Sequence, residues 1–336
     1  MSNLVSILIP AYNAEKFIRE TMLSAINQTW KNKEIIVVDD GSKDATLEIA
    51  KSLEAPNVKV VTQNNTGVCG ARNKAFTLAQ GDYIQWLDAD DLLHPEKISH
   101  QLSQGEVGRD SLTVLTAAWG KFFFRTDKAK FSPDSLWQDL SPIDWILARF
   151  NDNVLMNPTV WLVSRRLTEL AGPWDERLSR SGDDDGEYIC RVVSASTGVK
   201  FVQDAKCYYR IGTPGSLNWN METTQKNLEP LFLSLSATAS HLIALEDSER
   251  TRKACVNYLQ TFSSYFYPDQ AALIEKMNNF ANKLGGELTP PTLSWKYRPF
   301  EKIFGPKITD KLITNWRASK LLAQGNWDKF FYSLGN

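Results

Sequence analysis

An α/β fold, with a mostly parallel sheet flanked by helices and a helical C-terminal extension, is what this 336-residue sequence predicts. Three observations carry that prediction. Short apolar runs alternate with stretches of helical periodicity through the first hundred residues. A polar cluster directly follows several of those runs. Beyond about Asn220 the strand signal stops and helix-like stretches take over.

Leu4 to Ile9 is a short apolar run ending at Pro10, which suits a strand buried on both faces. From Ala14 to Asn27 the period becomes helical, with Ile18, Met22, Ala25 and Ile26 on one stripe and Asn13 placed as N-cap. Glu34 to Val38 reads as a second buried strand, and Asp44 can cap a helix reaching Leu53. Val58 to Val61 is a third strand, followed by a helix from about Val68 to Ala79. Tyr83 to Leu87 is a fourth strand, and Pro95 suits the first turn of the next helix. This βαβαβαβα order argues for a parallel sheet with helices on both faces, in which ligands bind beyond the carboxyl ends of the strands. Tyr12-Asn13, Asp39-Asp40-Gly41-Ser42 and Asp88-Ala89-Asp90-Asp91 should therefore converge on one crevice. Between Leu112 and Arg210 the signals mix: a strand or hairpin over Leu112 to Phe124, a strand from Pro158 to Ser164, a helix from Asp185 to Ala195, and short strands from Val199 to Arg210. Leu228 to Leu245 and Arg252 to Tyr265 read as helices.

Composition narrows the function. A net charge of −1 does not suit a general nucleic-acid binder, which needs a basic surface. Cys69, Cys190, Cys207 and Cys255 are scattered with no C-x-x-C pair, and read as reduced core thiols of a cytoplasmic protein. No secretory leader is evident, and no apolar run approaches the ~20 residues that span a bilayer. Interleaved aromatic and basic residues from Trp295 to Phe304 allow peripheral contact with the inner face of a membrane. A packed helical region with a solvated basic face explains the same pattern and is the reading preferred from sequence.

Three carboxylates end the Tyr83 to Leu87 strand. Like charges this close repel, and a hard divalent cation with oxygen ligands is the usual compensator; a helix-capping loop is the other reading. In company, these motifs resemble family 2 glycosyltransferases of the GT-A (Rossmann-like) fold. The stretches that carry the resemblance are Val5 to Asn13, Val37-Val38-Asp39-Asp40-Gly41-Ser42, Gly70-Ala71-Arg72-Asn73 and Leu87-Asp88-Ala89-Asp90-Asp91, in the family's order and spacing. It covers roughly residues 4 to 215 and is strongest before Lys97.

The resemblance implies a metal-dependent, inverting enzyme that moves a sugar from a nucleotide-diphosphate donor, a UDP-sugar by preference, to a saccharide or lipid-linked acceptor. It implies that Tyr12 stacks on the base, Asp40 accepts the uracil imide, Arg72 contacts the diphosphate, and Pro10 and Ala89 complete the nucleotide-contacting set. Asp88 would meet the ribose or metal shell, and Asp90 would bind Mn²⁺ or Mg²⁺ directly. Against these stand plainer readings: a strand-end aromatic, a turn aspartate and a solvated helix arginine.

The second acidic cluster, Asp183-Asp184-Asp185, precedes a helix containing Arg191 and resembles the family's base-bearing segment. Counting back from Arg191 favours Asp185 as general base and leaves Asp184 as the alternative, while a dipole-stabilised N-cap explains the same residues. Trp174 fits either an acceptor-stacking or a core role, and Trp161 a core role. The histidine that many relatives carry after a Tyr-Arg pair is missing from Tyr209-Arg210-Ile211-Gly212-Thr213-Pro214-Gly215. The implied organisation is a glycosyltransferase domain over 1–220 (nucleotide-sugar half 1–110, acceptor half 111–220) and a helical region over 221–336. Rival functions on the same pattern are a non-catalytic nucleotide- or carbohydrate-binding protein and a sugar nucleotidyltransferase. The latter would want a glycine-rich phosphate loop where Pro10-Ala11-Tyr12-Asn13 stands.

Overall fold

The computed structural model of the chain describes residues 3–104, 108, 110–154, 157–212, 227–292 and 295–335. β1 (Val5–Ala11) is buried at every position, as a strand covered on both faces must be. It pairs in parallel with β2 (Lys33–Asp39) on one side and β4 (Tyr83–Trp86) on the other, and β2 pairs in parallel with β3 (Val58–Thr62). Register sets Ala11 beside Asp39 and Leu8 beside Trp86. Because the strands are parallel, Tyr12, Asp40 and Asp88 all leave the sheet at its carboxyl edge, as expected. The connecting helices are α1 (Ile18–Ile26), α2 (Thr46–Lys51) and α3 (Val68–Leu78).

A second sheet orders β5 (Leu92–Leu93), β9 (Gly198–Arg210), β6 (Thr113–Phe122) and β7 (Lys130–Phe131), with β6 and β9 parallel. Between these strands run α4 (Lys97–Gln104), α5 (Pro142–Asn151), β8 (Val163–Ser164), α6 (Arg165–Ala171) and α7 (Asp184–Ser194). β8 closes the first sheet antiparallel to β4. Among the described residues four α-helices follow: α8 (Leu228–Leu245), α9 (Glu249–Phe262), α10 (Ala271–Lys283) and α11 (Arg298–Gly335). α11 kinks at Gly305, whose φ of 75° suits glycine, and Pro306 opens the longer arm.

Several expectations need correction. Asn13 does not cap α1; it has φ 48° and its Oδ1 accepts from Lys43 N at 2.8 Å, tying the turn after β1 to the turn after β2. Pro158–Val160 is a 3₁₀ turn, because Pro158 cannot join a ladder, and only Val163–Ser164 is extended. Val199 to Arg210 lies within one long strand, which β6 supports on either side of a bulge between Val202 and Lys206. α8 is, by length and composition, apolar enough to cross a membrane, contrary to the sequence reading. Its Leu231, Ser234, Leu235, Thr238, Ala239 and Leu242 are nevertheless buried in this chain.

The expected boundary near residue 220 lies outside the described residues. Packing does not mark one: Leu235, Leu242, Cys255, Leu259 and Met277 belong to the same buried cluster as Ile7, Trp86 and Ile189. Leu235→Ala should therefore lower the stability of the whole chain by about 2–5 kcal/mol in one cooperative transition. Urea unfolding followed by far-UV dichroism and tryptophan emission checks this, and two separated transitions would contradict the shared core.

Candidate active site

The site begins where the parallel strands end. Tyr12 is 50% exposed at the tip of β1, free to offer a ring face, while Pro10 beside it is buried. Asp40 is 2% exposed and already well occupied. Its Oδ1 accepts from Gln63 Nε2 (2.8 Å) and Thr66 N (2.9 Å), and its Oδ2 from Gly67 N (2.9 Å). Gly41 makes the turn possible: φ is 75°, and a Cβ would sit 3.2 Å from both Gln63 O and Asn65 N. The carboxylate thus orders the loop leading into α3, and contact with a base would use the capacity left on Oδ2.

The acidic loop after β4 splits by environment. Asp91 is fully buried and structural: Oδ1 accepts from Arg210 N and Oδ2 from Thr159 Oγ1, both at 2.9 Å. Asp88 is partly exposed and pairs with Arg72 Nη2 at 2.9 Å. Asp90 is half-buried, and among the described residues no other side chain donates to its carboxylate. Burial, then repulsion from Asp88, pushes Asp90 up to about 6, and Arg210 offsets this only in part. Asp90 is therefore a carboxylate short of positive charge, which fits a hard cation, and Asp88 beside it keeps one carboxylate oxygen outside its pair with Arg72. No cluster of three or more potential ligands occurs among the described residues. Any metal held here would take its remaining ligands from diphosphate oxygens and water. Ala89 contributes its carbonyl to Thr21 Oγ1 at 2.9 Å.

Arg72 joins this loop to the second cluster. Its Nη1 donates to Asp184 Oδ2 at 2.6 Å while Nη2 holds Asp88. Burial opposes its charge, but Asp88 and Asp184 outweigh that and keep the guanidinium protonated. Its plane lies 4.1 Å from the Trp174 ring, and Trp174 stacks on Tyr188 at 3.8 Å and meets Trp86 edge-on at 5.4 Å. Trp174 is 2% exposed, so it is core, and stacking on an acceptor is ruled out for it. Trp161 is core, as expected.

The three aspartates at the start of α7 have three fates. Asp183 accepts from Arg149 Nη2 (3.1 Å), Ser234 Oγ (3.0 Å) and Tyr258 Oη (2.8 Å). Asp184 is held by Arg72. Asp185 accepts only from the adjacent Gly186 N among the described residues, at 2.8 Å. Burial and the two neighbouring carboxylates raise Asp185 well above the usual carboxylate range, against the pull of Arg72 and Arg149.

Supports absent from the sequence reading are Arg149, Tyr258, Ser234 and the side chain of Arg210. Arg210 donates to Asp90 O (2.8 Å), Phe123 O (2.6 Å) and Glu20 Oε2 (2.7 Å), stacked between Phe17 and Phe122. The Tyr-Arg pair at the end of β9 was its only local signal. Lys97, fully buried, donates to Gln85 and Gln101, and burial pushes it down to about 7. His241 pairs with Glu187 at 3.1 Å, and His100 meets the carbonyl of Asp204, so neither joins the acidic loops.

Residues 6–147 match the family described as Glycosyl transferase family 2. That stretch of the chain is similar to family 2 glycosyltransferases. It is 41% identical over 103 residues to an uncharacterized glycosyltransferase of Haemophilus influenzae, covering 30% of this chain and 41% of that one. It is 45% identical over 97 residues to a chondroitin synthase of Escherichia coli, covering 28% and 14%. The chain thus spans less than half the length of these relatives. Its fold is that of S. aureus TarS residues 1–349, solved with UDP-GlcNAc: TM-score 0.65 and 18% identity, over 83% of this chain and 82% of that one. The fold, and the family that residues 6–147 match, are those the sequence motifs imply. The family match takes in Tyr12, Asp40, Arg72 and Asp88 to Asp91, and ends before Asp183.

Arg72→Ala would leave Asp88 and Asp184 facing each other across a buried gap and should cost about 3–5 kcal/mol. Arg72→Lys should recover less than half of this, since one ammonium cannot span two carboxylates as a fork does. Denaturant midpoints of the three proteins measure the difference, and a loss under about 1 kcal/mol for Arg72→Ala would contradict the bridge.

Proposed function

We propose that this chain is an inverting, metal-dependent glycosyltransferase that uses a UDP-sugar and transfers the sugar to a hydroxyl of a saccharide or lipid-linked acceptor. The observation that carries this reading is the meeting of the two acidic clusters through Arg72, which sets a cation-seeking loop beside an under-partnered carboxylate. The solved fold relative was captured with UDP-GlcNAc, which supports a uridine donor for a domain of this family.

Tyr12 would receive the base on its exposed ring, and the loop ordered by Asp40 would edge it. Mn²⁺ or Mg²⁺ held by Asp90, with Asp88, would neutralise the diphosphate as it departs. Arg72 sets the spacing of Asp88 and Asp184 and adds positive field below the diphosphate. Asp185 takes the acceptor proton: Asp183 and Asp184 are occupied by Arg149, Tyr258, Ser234 and Arg72, so Asp185 is the carboxylate left to act. Single displacement with such a base inverts the anomeric centre.

Two substitutions separate the roles. Asp185→Asn should keep UDP–Mn²⁺ binding while transfer falls by a factor on the order of 10²–10⁴. Asp90→Ala should lose metal-dependent UDP binding as well as transfer. Calorimetry with UDP and Mn²⁺, alongside a nucleotide-diphosphate release assay over a donor panel, reads both. Full activity in folded Asp185→Asn would remove it as base, and unchanged metal-dependent affinity in Asp90→Ala would remove it as ligand.

A further inference from the structure

Among the described residues, most of the exposed large apolar side chains lie on the last helix. In the long arm of α11, Ile308, Leu312, Trp316, Trp327, Phe330 and Leu334 are all more than half exposed, Trp316 at 60% and Trp327 at 67%. They recur at spacings of three, four and eleven residues, each near a multiple of the 3.6-residue turn, so they form one stripe. The stripe runs roughly 39 Å at 1.5 Å per residue. The face away from it is docked: Asp328 is buried and Gly325 packs on Phe123, with buried Ile313 at the edge of the stripe. A patch of this length and apolarity is more than a monomer ordinarily leaves to water.

The charge beside the stripe says what covers it. Lys320 lies over the exposed Trp316 ring at 5.6 Å, Arg317 is exposed next to it, and Lys296 and Lys302 are exposed just before the kink, although the whole chain carries −1; Lys329 instead lies over Phe124 on the docked side. Asp328 is the one carboxylate whose side chain is described there, and it is buried against Arg125. By sequence, residues 295–335 carry eight Lys and Arg against three Asp and Glu, so pairing two copies of this face would set two net-positive segments against each other. An anionic lipid surface answers both features, taking the indoles and aliphatic groups into its interface and the lysines against its headgroups.

We propose that α11 is a docking helix that lies flat on an anionic lipid bilayer through the Ile308–Leu334 stripe. The attachment is made through directed contacts. Asp328 accepts from Phe124 N (2.9 Å), Arg125 N (3.1 Å) and Arg125 Nε (2.7 Å), and the rings of Phe124 and Tyr332 meet at 6.1 Å. The neighbouring Phe123 carbonyl is held by Arg210, which also holds the Asp90 carbonyl. A bilayer bound to the stripe is thereby fixed in orientation relative to the acidic loop. Delivery of a lipid-linked acceptor from that bilayer rests on the transfer reading above; the docking itself does not.

The full chain is mixed with vesicles of phosphatidylcholine alone or with phosphatidylglycerol, at low and high salt, and assayed by flotation and tryptophan emission. Binding to the anionic vesicles with a blue shift is expected, weakened by salt and by Arg317→Glu/Lys320→Glu. Trp316→Glu/Trp327→Glu should cut the bound fraction roughly tenfold or more, since both indoles would otherwise leave water. UDP–Mn²⁺ calorimetry and thermal melts on the same samples read the site and the fold separately. Equal binding to both vesicle types would overturn the anionic assignment. Absence of flotation would overturn the docking, whether light scattering shows a monomer or an oligomer that the tryptophan substitutions dissolve.

Discussion

One buried guanidinium sets the spacing on which the site depends. Asp88 and Asp184 come from chain segments nearly a hundred residues apart, and burial disfavours charge on Asp184. Arg72 lies between them with one nitrogen on each. Such an arrangement persists only with good geometry, because the desolvation of three charges is costly and each must answer another. The geometry comes from below: α3 presents Arg72, and the stack of Trp174 on Tyr188, closed by Trp86, forms the floor under its plane.

The helices after residue 227 belong to the same construction. α8 supplies Ser234 and α9 supplies Tyr258, and both donate to Asp183. With Arg149 from α5 they fix the residue that opens α7, and so the placement of Asp184 and Asp185 behind it. On the other side Arg210 ties the acidic loop to the end of β6, to which α11 is clamped by Asp328. A chain whose C-terminal helices were a detachable appendage would not route its buried polar contacts this way.

Much of the first sheet was legible because the cause is local. Runs such as Val5 to Ile9 and Ile35 to Val38 are apolar throughout because both faces are covered, and the polar residues after them mark the carboxyl edge. The convergence of Tyr12, Asp40 and Asp88 followed from topology alone. Partnerships across the chain were not legible. Nothing near Arg72 announces that its partner lies 112 positions on, and nothing in three consecutive aspartates tells which is engaged by Tyr258 and which by Arg72. Asn13 misled because an asparagine before a helical stripe suits an N-cap and a left-handed turn equally. The stripe on α11 escaped notice because its apolar residues are diluted by lysines and become a face only when wound into a helix.

The most direct measurement is a double-mutant cycle between Arg72 and Asp184, using Arg72→Met, Asp184→Asn and the pair, read by denaturant unfolding. If Arg72 holds the two acidic loops together, the double variant should lose less stability than the singles added, with a coupling of more than about 1 kcal/mol. Strictly additive losses would mean that the two residues do not depend on one another, and the bridge between the donor side and the base side would fall.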